Sequence, residues 1–203
     1  MHPNRAFRKT PVSTALDFAR HRAFGTLAVN GEAGPLLAHV PFLLDEAGEA
    51  LELHLVRSNP IVRNPGLAVL SVLGPDSYIS PDWYDAKDQV PTWNYVAVHL
   101  RGPLELLSDA ALEDLLERQS AHFEGQLYPK QPWLTDKMSE GTMEAMMRAI
   151  VPARMRVDDV QSTWKLNQNK PEDVRQRAAH FVARDGIGTD LDELSQLMEQ
   201  PPK

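Results

Sequence analysis

From Phe24 to Arg101 the chain is cut into short extended segments by turn-forming residues, about every 8 to 15 positions. This punctuation limits the fold more than any other feature. The clearest segment is Leu51 to Val56, LELHLV, which alternates strictly. Leu51, Leu53 and Leu55 point one way; Glu52, His54 and Val56 point the other, as a strand with one packed face requires. Around it lie strand candidates at Phe24–Val29, Leu36–Leu44, Leu67–Leu73 and Thr92–Arg101. Asn30-Gly31 is a hairpin signal, which the following Glu-Ala-Gly-Pro can lengthen. Pro41 marks an edge, a bulge or a strand end. Gly74-Pro75 and Gly102-Pro103 read as strand terminators.

Helical periods dominate elsewhere. Ser13 is a cap for Thr14–Arg22, and Ser108 for a helix over Ala110–His122. A second helix is expected from about Lys137 to Ile150, then a returning strand at Ala153–Val160. Pro171–Phe181 and Asp190–Glu199 read as closing helices. The expected fold class is mainly β with peripheral helices (α+β), a closed or split β-barrel, because closure removes exposed strand edges. The expected organisation is one domain over 1–170, with a helical insertion at about 108–150, and a helical tail over 171–203 packed on the barrel or on a partner subunit.

Composition excludes several kinds of chemistry. There are no cysteines, so disulfides, thiolate catalysis and cysteine-held metal centres are ruled out, and a reducing cytoplasm fits. No apolar run approaches the length that spans a bilayer, and no apolar segment of secretory type follows the basic MHPNRAFRKT start. Lys and Arg number 21 against 28 Asp and Glu, and basic residues are scattered, which disfavours direct DNA binding.

Ser77–Gly102 concentrates two of the four tryptophans and three of the four tyrosines among Ser, Asn and Thr. Such residues suit either a surface that stacks on a flat ligand or a buried protein interface. Arg57-Ser58-Asn59 offers a guanidinium, a hydroxyl and an amide directly after a strand; this is the donor set a phosphate ester needs, or an ordinary polar turn. Lys165-Leu-Asn-Gln-Asn169 offers one cation and three amides, for a heteroaromatic ligand or as a connector. His39, His54 and His99 all fall in strand candidates, yet their spacing matches no metal motif, so no metal is expected. No triad and no paired-carboxylate arrangement is defensible, and no catalytic residue is named.

Taken together, YISPDWY at Tyr78–Tyr84, VPTWNY at Val90–Tyr95, HVPF at His39–Phe42, HLVRSNP at His54–Pro60 and KLNQN resemble the PaiB-like family of FMN-binding negative transcriptional regulators. The resemblance runs from the first residues to about residue 180, and departs at Asn167, where the family usually has Ser. It implies a split-barrel fold related to pyridoxamine-phosphate oxidases, FMN as cofactor, and a homodimer with FMN sites at the subunit interface. The residues it implies as cofactor-binding are His39, Val40, Pro41, Phe42, His54, Arg57, Ser58, Asn59, Trp93, Asn94 and Tyr95. Lys165 and Gln168 are expected from the partner subunit. The implied role is regulation through flavin redox chemistry. Alternatives are a flavin reductase or oxidase of unknown small substrate, a direct DNA-binding repressor, and a haem-binding split barrel.

Overall fold

The computed structural model describes residues 1–202. They form two compact units. A central unit comprises 23–71 and 100–159; a terminal unit comprises 1–22, 72–99 and 160 onward. Strands β4 (Leu67–Ile79) and β5 (Thr92–Leu106) contribute residues to both.

In the central unit, β1 (Phe24–Gly31) and β2 (Gly34–Leu44) form a hairpin whose last pair is Gly31↔Gly34. The turn therefore falls on Glu32-Ala33, two residues after the Asn-Gly signal. β2 pairs with β1 as far as Pro41, then with β3 (Ala50–Val56) from Phe42 to Leu44. Proline, which has no N–H to give a ladder, sits where the strand changes partner. β1 also pairs with the Ala68–Ser71 part of β4. β3 continues to β6 (Ile150–Arg156), and β6 to Leu104–Leu106 of β5, all antiparallel. Leu51, Leu53 and Leu55 are buried, as their alternation predicts.

A one-turn helix, α2 (Pro60–Arg63), follows β3. The helical insertion holds α3 (Leu112–Gly125), whose Leu112, Leu115 and Gln119 are buried, and the short α4 (Thr142–Met147). The expected long helix to Ile150 is broken. A 3-10 turn at Thr135–Lys137 is followed by Gly141, whose φ of 74° starts α4 afresh.

The single returning strand expected at Ala153–Val160 is two: β6, then β7 (Asp159–Lys165). The break at Val157–Asp158 is fixed by neighbours. Val157 N–H donates to Glu49 at 2.7 Å and Asp158 N–H to Arg101 at 2.8 Å. The chain passes so close to Gly102 that a Cβ there would stand 1.8 Å from the Arg156 carbonyl oxygen. Gly102 is thus a crossing point inside β5, and Gly74-Pro75 likewise lies inside β4; neither ends a strand.

The terminal unit contains α1 (Val12–Arg22), a 3-10 turn at Pro81–Tyr84, β7, α5 (Glu172–Asp185), the two-residue β8 (Gly188–Thr189) and α6 (Leu191–Glu199). Its core joins Ile79, Tyr84 and Val96 to Trp164, Leu166, Val174, Val182, Leu194 and Met198. Both closing helices therefore supply core, and the 170/171 boundary expected from sequence cuts through one compact unit. The reason is long-range: Ile79, Tyr84 and Val96 of residues 72–99 share one apolar cluster with Val174, Val182, Leu194 and Met198 of the C-terminal helices, with Phe18 of α1 packed against it.

Candidate functional site

The central unit holds the first group of expected ligand residues. His39 is exposed, with Nδ1 at 3.0 Å from Thr26 Oγ1 on the neighbouring strand. Val40 and Phe42 turn into the core. The Pro41 carbonyl accepts a hydrogen bond from Gln119 Nε2 at 3.4 Å. The other end of that amide, Oε1, lies 3.0 Å from His54 Nδ1.

This clasp fixes the protonation of His54. A carbonyl can only accept, so Gln119 presents Nε2–H to Pro41 and its oxygen to the imidazole. Nδ1 of His54 therefore carries the proton, and Nε2 keeps its lone pair. Burial lowers the His54 pKa below its usual 6.5, and the bond to Gln119 offsets this only in part. His54 lies on the face of β3 opposite the buried leucines, where α3 of its own chain reaches it through Gln119. Gln119 is 5% exposed and has no counterpart in the sequence reading. Its only signal is a polar residue on the apolar stripe of Leu112 and Leu115.

Arg57 sits beyond β3 with much of its donor capacity spent. Nη2 donates to both Asp109 carboxylate oxygens at 3.1 Å and to the Ile150 carbonyl at 2.8 Å; Nε donates to the Arg148 carbonyl at 3.1 Å. Nη1 is left for a further acceptor. A cleft of about 470 Å³ adjoins it, lined by Arg57, Asp109, Leu112, Glu144, Met147 and Arg148. Asn59 caps α2, its Oδ1 accepting from Ile61 N–H at 3.0 Å. Ser58 is exposed and keeps its hydroxyl free.

The terminal unit holds the second group. Trp93 and Tyr95 share the outward face of β5, and Trp93 meets Tyr78 edge to face at 6.3 Å. Asn94 turns the opposite way, fully buried; its Nδ2 reaches Met198 Sδ at 3.4 Å and its Oδ1 has no partner. Lys165 bonds the Thr92 hydroxyl and lies 6.0 Å from the centre of the Phe7 ring. Gln168 is committed to its own turn: Oε1 accepts from Leu166 N–H at 2.8 Å, and Nε2 donates to the Trp164 carbonyl.

Asn167 adopts φ of 61°, a left-handed conformation that Asn accepts more readily than Ser. The departure from the family's usual residue thus falls on a backbone position that suits Asn. Tyr84 OH donates to its Oδ1 at 3.3 Å.

No cluster of three or more His, Cys, Asp or Glu able to hold a metal ion occurs among the described residues. No helix among them is long and apolar enough to cross a membrane.

The sequence profile of the family described as "Putative FMN-binding domain" matches residues 1–159. The chain belongs to that family. FMN, the cofactor implied by the motifs, is the cofactor by which the family is described. The chain is also 30% identical over 181 residues to the protease synthase and sporulation protein PAI 2 of Bacillus subtilis, covering 85% of this chain and 84% of that one. Two solved structures share the fold. The FAD and heme binding protein from Mycobacterium smegmatis matches with a TM-score of 0.55 at 16% identity, over 78% of this chain and 73% of that one. The flavocytochrome Anf3 from Azotobacter vinelandii matches with a TM-score of 0.59 at 13% identity, over 85% and 77%. The fold class is the split β-barrel with peripheral helices, as its motifs imply.

The residues present fit a flavin on chemical grounds. Trp93 offers an exposed aromatic face for a flat ring, and Tyr95 a half-buried one on the same side of β5. His54 Nε2 is an uncharged acceptor, while Ser58 Oγ and Arg57 Nη1 are open donors.

Proposed function

We propose that this protein is an FMN-binding homodimer that holds the flavin at the seam between two copies and regulates through the redox state of that flavin. The observation that supports the seam is the outer face of the β1–β2–β4 sheet in the central unit. Thr26 stands between His39 and Ser71, and Ala28 between Leu37 and Val69. Phe24, Leu37 and Leu67 on these strands are 43%, 60% and 71% exposed. An apolar sheet face of this kind is a cost in water that a second copy removes.

In this reading, backbone groups of His39, Val40, Pro41 and Phe42 border the ring. His54 Nε2 accepts from a ring N–H, and Arg57 and Ser58 hold the phosphate beside the Asn59-capped turn. Trp93, Asn94 and Tyr95 shape the pocket. Lys165 comes from the second copy, on a turn that Gln168 keeps closed. FMN when bound supplies electron-transfer chemistry; these side chains orient it and exclude water. The flavin reductase or oxidase alternative uses the same site.

An absorption spectrum of the isolated protein, with FMN titration and light-scattering mass, tests the proposal. A flavin spectrum or saturable FMN uptake by a dimer is expected. A monomer indifferent to FMN would sink it. Arg57→Ala is expected to weaken FMN binding by about 1.5–3 kcal/mol, the loss of charged hydrogen bonds.

Haem is a second reading, favoured by one feature: the uncharged, unpaired Nε2 of His54 is the form of imidazole that ligates iron. A Soret band in the isolated protein, lost in His54→Ala, would establish it in place of flavin. For direct DNA binding, the acidic balance and dispersed basic residues offer no footprint.

A further inference from the structure

In a chain with seven more acidic than basic residues, two half-buried lysines of the terminal unit have no acidic partner among the described residues. Lys165 bonds the Thr92 hydroxyl, and Lys170 bonds the Gln89 side-chain oxygen while lying 4.2 Å from the centre of the Tyr84 ring. Asp85 and Asp88, on the same loop as Gln89, pair with neither. The two ammonium groups are close enough to act on each other: burial, then the charge of Lys170, lowers the pKa of Lys165, and burial lowers that of Lys170.

The groups around them add donors and no charge to offset the lysines. His2 Nδ1 accepts from Asn4 N–H at 3.1 Å, so a neutral His2 carries its proton on Nε2. Its ring packs edge-on against Phe7, the ring over which Lys165 lies. Asn167, between the two lysines in sequence, is 2% exposed, and its Nδ2 has no partner. Two ammonium groups, an imidazole N–H and a buried amide N–H therefore gather without an anion. Clustered, partly desolvated positive charge of this kind is unfavourable until an anion is supplied.

We propose that Lys165 and Lys170, with His2 and Asn167, form a binding site for an anionic group, a phosphate or a carboxylate. Such a site recognises charge by point donors, since lysine lacks the planar fork of arginine. The anion has two possible sources, the phosphate of FMN itself or the anionic group of a second, small ligand. Because Lys165 also belongs to the flavin reading above, the inference meets that reading at one residue, but the apo protein tests it without flavin.

The experiment is calorimetric titration of flavin-free protein with inorganic pyrophosphate, against chloride of matched ionic strength, for wild type, Lys165→Gln, Lys170→Gln and, as a control in the central unit, Lys130→Gln, whose ammonium pairs with Glu124. Saturable pyrophosphate binding is expected, weakened at least about tenfold by either substitution in the site and unchanged by the control. Lys170→Arg, which keeps the charge, should retain most of the binding even if a glutamine variant folds poorly. Titration with FMN and with riboflavin separates the sources. If the site holds the FMN phosphate, the glutamine variants lose the advantage of FMN over riboflavin. If it holds a second ligand, pyrophosphate still binds FMN-saturated protein and Lys170→Gln, outside the flavin reading, leaves FMN affinity unaltered. Absence of pyrophosphate binding beyond the chloride control, or equal binding by all variants, overturns the inference. Pyrophosphate binding in a protein that never takes FMN would keep it and remove the flavin reading alone.

Discussion

The two units of the chain treat polar groups differently. In the central unit charges are answered by charges: Arg57 by Asp109, Arg118 by Glu52 and Asp114, Arg156 by Asp158, and Lys130 by Glu124. Its buried amide, Gln119, is used at both ends. In the terminal unit Lys165 and Lys170 have neutral partners only. There Asn94 Oδ1, Trp164 Nε1, Asn167 Nδ2 and Arg175 Nε are buried and unanswered; no side chain of the central unit is in that condition among the described residues. Buried polar groups without partners cost stability, and folds retain them where a ligand or function needs them. The terminal unit has exposed ion pairs of its own, Arg20 with Asp17, Arg177 with Asp173 and Arg184 with Asp185, so the contrast lies in its two lysines and its buried, unanswered polar atoms.

The largest expected effect attacks the apolar basis of the terminal unit. Leu194→Ala removes a fully buried side chain from the α5–α6 core. It should cost about 2–5 kcal/mol in urea unfolding. Hydrogen exchange should show the protection lost mainly in residues of the terminal unit. Equal loss in β1–β3 would mean the two units unfold as one and blunt the comparison.

Next, Gln119→Ala breaks the polar closure of the central unit by stranding the Pro41 carbonyl and the His54 N–H. A loss of about 1–3 kcal/mol is expected. A change below about 0.5 kcal/mol would show that water replaces the amide without cost.

The two units should also differ in pH response. His54 titrates below 6.5 in the folded protein, so the unfolded chain takes up its proton first as pH falls. Stability should decline as pH drops from about 6.5 through the lower folded value, and His54→Gln should flatten that decline. Lys165 and Lys170 act at the other end. Their folded values lie below 10.5, so between those values and 10.5 the unfolded chain holds the extra protons. Stability contributed there should rise with pH, and saturating pyrophosphate should diminish the rise by favouring the charged lysines. Urea midpoints across the pH range measure both.

The smallest effect concerns the exposed pairs of the central unit. Asp109→Asn should change stability by less than about 1 kcal/mol, since both partners face water. It also releases Arg57 Nη2, so FMN affinity should rise slightly. A fall would show that Asp109 positions Arg57 rather than competing for it.

Much of this was legible in the chain. Leu51, Leu53 and Leu55 declared their shared face because strand alternation is local. The aromatic motifs around Trp83 and Trp93 carried the family. Other features were opaque for equally physical reasons. Gly74-Pro75 and Gly102-Pro103 look like strand ends in any short window; that the strands continue depends on which segments pass beside them. The 137–150 helix reading followed its methionines and missed the restart at Gly141. Of the expected ligand residues, Asn59 and Gln168 proved committed to local turns, which their polarity alone did not reveal.

The sequence alone determined the strand-rich class, the leucine-packed interior and membership of an FMN-binding family, since local period and contiguous motifs carry all three. Only the tertiary structure decided which polar groups are answered. Arg57 meets Asp109 across 52 positions, His54 meets Gln119 across 65, and Lys170 meets Gln89 across 81. Partners that far apart share no periodicity, and their meeting is fixed by how the strands and helices between them pack.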